Sequence, residues 1–211
     1  LKPGELYVAL KGDRFDGHDY VEEAQRLGAS SVMVSHTVNA EIPQVVVDDT
    51  RLGLGRLAAG WRKQLNPVVV GLTGSNGKTT VKEMIASILA QLGQVHATQG
   101  NLNNDIGVPL TLLSLTEHDD FAVVEMGANH QGEIKYLTSL ADPDVGLVNN
   151  AGPAHLEGFG GLDGVARGKG ELFAGLRPDA TAIINADDVY ADYWAGLLSG
   201  QKIIRFGMDQ A

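Results

Sequence analysis

The sequence predicts an α/β fold. A small α/β domain is expected over residues 1–66, followed by a larger domain over residues 67–211 with a mostly parallel sheet flanked by helices. Three observations carry this expectation. Strand-like and helix-like segments alternate along the chain, as a parallel sheet with right-handed crossovers requires. The run Val68-Val69-Val70-Gly71-Leu72 has the apolar, β-branched character of a strand buried on both faces. Between the two halves Asn66-Pro67 interrupts the pattern, because the residue before proline avoids the helical region.

In chain order, a first strand is expected at 5–10, then a helix over about 19–27 that Gly28 ends. Strands follow at 31–34 and 44–47. A helix over about 50–64 repeats Leu54, Leu57, Ala58, Trp61 and Leu65 at the helical period. After Pro67 come the strand 68–72, a glycine-rich loop, and a helix whose apolar positions are Val81, Met84, Ile85, Ile88, Leu89 and Leu92, stopped by Gly93. Further strands are expected at 95–98, 121–125, 145–148, 182–185 and 202–206. Helices are expected near 108–114, 131–140, 162–176 and 189–198.

Composition narrows the function classes. Hydrophobic residues make up 44% and charged residues 20%, enough for a packed core and unlike a disordered chain. Lys plus Arg number 16 and Asp plus Glu 26, for a net charge of −10. Nucleic acids and membrane surfaces are themselves anionic, so no nucleic-acid partner is expected. No membrane insertion is expected either, since no apolar run approaches about 18 residues. The absence of cysteine excludes disulfides, thiolate zinc and a cysteine nucleophile, and fits a reducing compartment. The chain begins at Leu1 rather than Met and is read as a piece of a longer protein.

The strongest chemical signal is Gly74-Ser75-Asn76-Gly77-Lys78-Thr79-Thr80, set between a buried strand and an amphipathic helix. Glycines let backbone N–H groups converge on phosphate oxygens, and the helix N-terminus favours an anion there. Lys78 can neutralise terminal phosphates, and the Thr79 hydroxyl can reach a bound Mg²⁺. Leu72 stands where the general phosphate-loop pattern has its first glycine, so this loop is a shortened variant. Glu125 closes a buried strand and lands on the rim where α/β sheets bind ligands. His155 follows another buried strand and lands on the same rim; the other five histidines read as structural or surface groups. On composition alone, Arg167-Gly168-Lys169-Gly170-Glu171 reads as a helix with Lys169 and Glu171 on an exposed face. Residues 101–109 read as an asparagine-rich turn before a helix start at Val108-Pro109.

Together these segments resemble the Mur ligases, the ATP-dependent amide-forming enzymes of peptidoglycan synthesis. The resemblance covers nearly the whole chain. Thr73 to Thr79 matches the family's Thr-Gly-x-Asn-Gly-Lys-Thr loop, which accounts for the shortened form. Gly4-Glu5-Leu6-Tyr7-Val8-Ala9-Leu10-Lys11-Gly12 and Asp16-Gly17-His18-Asp19-Tyr20 resemble a uridine-nucleotide domain. The segments 100–113 and Glu125-Met126-Gly127-Ala128-Asn129-His130 resemble the branch that adds D-alanyl-D-alanine; the MurE branch carries Ser-Ser-His after its metal-binding glutamate, and this chain does not.

The resemblance implies a set of roles. Residues 1–66 would hold the UDP substrate and 67–211 ATP, with Thr73, Gly74, Ser75, Asn76, Gly77, Lys78, Thr79, Thr80 and Asn185 contacting the nucleotide. Glu125 and Thr79 would hold one Mg²⁺ and His155 a second. Lys169 would be carbamylated by CO₂, becoming an anion that can ligate metal. Lys78, Asn104, Glu125, His155 and Lys169 would form the catalytic set, with Asn103 or Asp105 as alternatives to Asn104. The implied reaction joins D-alanyl-D-alanine to UDP-N-acetylmuramoyl-tripeptide through an acyl phosphate, in a cytoplasmic monomer. A third, C-terminal domain of the family is not in this chain, so these residues alone are expected to complete no turnover. Three alternatives stay open: another Mur-type ligase (MurE-like or like folylpolyglutamate synthase), a phosphate-loop phosphotransferase of small molecules, and a non-catalytic binding fragment.

Overall fold

The computed structural model describes residues 1–154 and 156–210. They form two compact units, Leu1–Leu57 and Ala58–Ala211. The first unit contains β1 (Leu6–Val8), a 3₁₀ turn (Gly17–Tyr20), α1 (Val21–Arg26), β2 (Ser31–Val34), β3 (Gln44–Val46) and the start of α2 (Thr50–Leu65). Its three strands pair in parallel in the order β1-β2-β3. Ala9, Val21, Val32, Val34 and Ile42 form its core. Thr50 anchors the start of α2 by donating its hydroxyl to the Ala9 carbonyl at 2.9 Å.

The chain passes between units within α2, whereas the sequence pattern places the break at Asn66-Pro67. The second half of α2 explains the difference: Ala58, Ala59 and Leu65 belong to the core of the larger unit. Trp61 Nε1 also donates to the Leu115 carbonyl there, at 2.9 Å. Asn66-Pro67 does stop the helix. Asn66 adopts the left-handed region at φ 52°, a conformation in which asparagine often closes helices.

The second unit continues with β4 (Val68–Thr73), α3 (Lys78–Leu89), β5 (Val95–Ala97), α4 (Gly107–Leu113), β6 (Phe121–Glu125) and α5 (Glu133–Ala141). Then come β7 (Val145–Val148), α6 (Leu156–Phe159), α7 (Leu162–Ala174), β8 (Thr181–Asn185), α8 (Ala191–Ala195) and β9 (Lys202–Phe206). The α8 helix is shorter than the expected 189–198. The six strands form one sheet in the order β5-β6-β4-β7-β8-β9, parallel throughout. Alternation along the strands splits their side chains between two faces. Leu72, Val123 and Leu147 pack under Val81, Ile85 and Leu89 of α3. Val69, Val124, Val148 and Ile184 face α4, α5, α7 and α8, where Trp194, Phe173, Leu112 and Ile134 are fully buried. Each such side chain stabilises the fold by roughly 1.5–3 kcal/mol relative to its exposed state. Among the described residues no helix is long and apolar enough to cross a membrane.

Charges pin the edge of the sheet opposite the strand ends that carry the phosphate loop. Asp144 accepts from the Val69 N–H at 2.7 Å and from Arg177 Nη2 at 2.7 Å. Arg62, whose side chain is 5% exposed, places Nη2 3.6 Å from the same carboxylate. Removing the carboxylate leaves a strand N–H without its acceptor and takes from the buried Arg62 one of its two carboxylates, Asp142 remaining at 3.9 Å. Asp144→Ala is therefore expected to lower the unfolding free energy by about 2–3 kcal/mol, read as a lower urea midpoint. An unchanged midpoint would show that the network contributes nothing.

Candidate active site

Strand β4 sits at the centre of the sheet and ends in Thr73, which is fully buried and donates its hydroxyl to the Met126 carbonyl at 2.8 Å. The chain then turns through residues 74–77 into α3. Gly77 takes φ 74°, in the left-handed region that favours glycine, and no side chain caps the helix. The first-turn N–H groups of α3, at residues 77–80, therefore face outward with no intrahelical acceptor, the arrangement an anion needs. Lys78 folds over the loop, donating from Nζ to the Gly74 carbonyl at 2.9 Å and the Ser75 carbonyl at 3.3 Å. Partial burial pulls its ammonium below the ordinary lysine range, and the nearby Glu125 carboxylate opposes that shift.

Glu125 lies at the end of β6, beside β4, and is only 2% exposed. Its Oε2 accepts from the Thr79 hydroxyl at 3.1 Å and its Oε1 from Asn103 Nδ2 at 2.9 Å. Its backbone N–H donates to the Thr98 hydroxyl at 2.9 Å. Behind it the buried Lys82 donates to the Thr98 carbonyl at 2.6 Å. Lys82 is not among the site residues expected from sequence, yet its spacing signals it: four residues after Lys78, it shares that residue's helix face. Thr79 and Glu125 offer hard oxygen donors side by side, next to an open anion cradle. This donor set fits Mg²⁺, which favours one or two carboxylates plus substrate phosphates. Among the described residues there is no group of three or more His, Cys, Asp or Glu suited to a metal.

Lys169 departs from the exposed face that composition suggests. It lies in α7 at 2% exposure, with Nζ 5.4 Å from the centroid of the Phe159 ring. Glycines permit this burial: a Cβ at Gly168 would collide with the Phe159 ring, and one at Gly170 would meet Leu197 Cδ1 at 2.8 Å. Burial, reinforced by the charge of Lys78, pulls the Lys169 amine down to about 8, against the opposing pull of Glu133 and Glu171. Glu171 is itself engaged, accepting the backbone N–H groups of Gly132 at 2.6 Å and Lys135 at 3.0 Å.

The remaining candidates fall as follows. Asn104 turns its Oδ1 to the N–H groups of Ile106 at 3.2 Å and Gly107 at 2.8 Å, in the turn that leads into α4. Asn103, its neighbour, is the residue that meets Glu125. Asn185 donates to the Asn149 carbonyl at 2.9 Å, in the loop beside the phosphate loop. Thr79 and Thr80 are exposed on the open rim. His155 lies outside the described residues. A cavity of ≈ 570 Å³ opens between the loop after β6 and the segment around α6, lined by Asn129, His130, Pro153, Leu156, Glu157 and Gly158.

A family model described as the Mur ligase middle domain matches residues 72–211. A second, described as the Mur ligase family catalytic domain, matches residues 1–62. The UDP-N-acetylmuramoyl-tripeptide–D-alanyl-D-alanine ligase of Escherichia coli is 53% identical over 211 residues, covering 100% of this chain and 47% of that enzyme. A crystal structure of MurF from Acinetobacter baumannii matches with TM-score 0.95 at 43% identity, over 99% of this chain and 46% of that one. The MurF ligase of Thermotoga maritima, in complex with ADP, matches with TM-score 0.91 at 34% identity, over 99% and 48% respectively. The chain thus spans about half the length of the relatives it matches. With the phosphate loop and Glu125 at the ends of the neighbouring strands β4 and β6, and with two domain matches that together take in most of its residues, the chain belongs to the Mur ligase family.

Proposed function

We propose that the full-length protein is an ATP-dependent amide ligase of peptidoglycan synthesis, acting as a monomer in the cytoplasm. It joins D-alanyl-D-alanine to UDP-N-acetylmuramoyl-tripeptide through an acyl phosphate. Residues 1–66 take the uridine nucleotide end and 67–211 take ATP. The observation that carries the reading is the 3.1 Å contact between Thr79 and Glu125 at the mouth of an uncapped helix that also presents Lys78. The Escherichia coli relative named for this reaction is roughly twice as long as this chain, so the activity belongs to the longer protein.

In the first step a carboxylate oxygen of the tripeptide forms a bond to the γ-phosphorus of ATP, and the bond to the β–γ bridging oxygen breaks, releasing ADP. Two anions must meet, and the N–H groups of residues 77–80 with the Lys78 ammonium lower that repulsion. Mg²⁺ held by Thr79 and Glu125, with His155 and carbamylated Lys169 on a second ion, would add further charge screening. In the second step the D-alanyl-D-alanine amine attacks the acyl carbon, phosphate leaves, and a proton is lost from nitrogen. Asn103 orients Glu125, and Asn104 keeps the part that the family resemblance gives its loop, toward the γ-phosphate and the acceptor. Carbamylation forms a bond between Lys169 Nζ and CO₂ with loss of one proton, and needs the neutral amine. A value of about 8 leaves about one amine in ten neutral at pH 7, against about one in three thousand for an ordinary lysine.

The test is phosphate release from ATP by the full-length protein. Release is expected only when UDP-N-acetylmuramoyl-tripeptide and D-alanyl-D-alanine are both present. Release that persists without the nucleotide peptide would remove the ligase reading and favour a phosphotransferase.

A further inference from the structure

The loop that follows β7 is fastened to the phosphate loop chiefly by Asn149 and Asn150, to which no role above is given. Asn150 Oδ1 accepts from the Ser75 N–H at 3.1 Å and the Asn76 N–H at 2.9 Å. The Asn150 carbonyl also accepts from the Ser75 N–H, at 3.0 Å. Asn150 Nδ2 donates to the Asn76 carbonyl at 3.1 Å, and Asn149 Nδ2 donates to the same oxygen at 2.8 Å. The Ser75 hydroxyl donates to the Gly152 carbonyl at 3.0 Å and accepts from the Gly152 N–H at 2.9 Å. The fastening loop is tied down in turn: Asp188 Oδ2 accepts from the Ala151 N–H at 2.8 Å.

An N–H that donates to a carboxamide is not free to donate to a phosphate. In this loop the strand runs on through Leu72 and Thr73, so the bend is short and has little chain with which to brace itself. The neighbouring loop supplies the brace. We infer that Asn150 is a positioning residue of the nucleotide site: it engages the Ser75 and Asn76 N–H groups, leaving the grip on phosphate to the N–H groups of residues 77–80. Ser75 and Asn76 then shape the cradle without lining it. A cradle shaped before the ligand arrives loses less freedom on binding, which favours affinity. The inference rests on the nucleotide-binding part of the proposed function.

The test follows single backbone amides by hydrogen exchange in the full-length protein, with and without ADP and Mg²⁺. Ser75 and Asn76 are expected to exchange slowly before ADP is added and to change less than about twofold on its addition, while residues 77–80 slow at least about tenfold. Asn150→Ala is expected to speed exchange at Ser75 and Asn76 and to weaken ADP binding about tenfold. KM for ATP should rise by a similar factor while KM for D-alanyl-D-alanine stays unchanged, a split that a general loss of structure would not give. The isosteric Asn150→Asp keeps an acceptor for both N–H groups, so their slow exchange should survive in it even if the alanine variant fails to fold. ADP slowing Ser75 and Asn76 as much as residues 77–80, or undiminished ADP affinity in Asn150→Ala, would overturn the inference alone. A wild-type protein that binds no ADP would remove the nucleotide reading and this inference with it.

Discussion

Replacing Lys169 with methionine is expected to slow ligation by about 10²–10³-fold and, at neutral pH, to make the protein more stable. The two effects have opposite signs because the proposed chemistry needs the amine while the fold is disfavoured by burying it. Methionine is an unbranched apolar side chain that can occupy the same buried position beside Phe159, and it removes a cation that burial disfavours. The sign with pH is fixed by the lowered amine. Below about 8 both folded and unfolded states carry the proton, and the whole penalty of burying the charge is present. As pH rises from about 8 toward the ordinary lysine value, the folded amine deprotonates first and the penalty fades. The stability gained by Lys169→Met should therefore be largest below pH 8, on the order of 3 kcal/mol, and vanish near about pH 10.5. Chemical unfolding in CO₂-free, metal-free buffer reads this directly. A variant that loses stability at pH 7 would show that the amine is favourably paired in the fold, which is incompatible with a site that makes its proton easier to lose.

Glu125→Gln is expected to reduce turnover by a comparable factor, about 10²–10³, while leaving the melting temperature nearly unchanged. The substitution is close to isosteric. Glutamine Oε1 can accept from Asn103 and its Nε2 can donate to the Thr79 hydroxyl, which rotates to accept. No buried polar group is stranded, so the fold is spared and only the negative charge is lost. Half-saturation by Mg²⁺ should move to higher concentration, and ADP binding measured with EDTA should change far less. Equal weakening of ADP binding with and without Mg²⁺ would place Glu125 outside the metal site.

The central strand, the loop Gly74 to Thr80 and Glu125 could be read from local sequence because their signals are local. A buried β-branched run, a Gly-Lys-Thr turn and a strand-end carboxylate each declare themselves within a few residues. Lys169 could have been placed better. It stands four residues after Val165 and three and four before Leu172 and Phe173, the spacing of one helix face, and those three are buried. In the sequence its charge masks its position, and Glu171, two residues on, lies off that face. Asn103 and Asn104 could not be separated by composition, since either can cap a helix or turn toward a neighbour; the start of α4 takes Asn104 and so frees Asn103 for Glu125. Asn150 was out of reach for another reason. Its partners lie about 75 residues away in the chain, and nothing local signals which strands will be neighbours.

The sheet order has a consequence for biosynthesis. Strand β4 emerges from the ribosome before any other strand of its sheet, yet its two partners, β6 and β7, begin only at Phe121 and Val145. At roughly 5–20 residues per second, several seconds pass before the sticky segment Val68–Thr73 can be sheltered on both edges. Throughout that interval the nascent polypeptide displays a run of the kind that templates aggregation. Chaperone demand should accordingly peak while translation crosses the stretch between these strands.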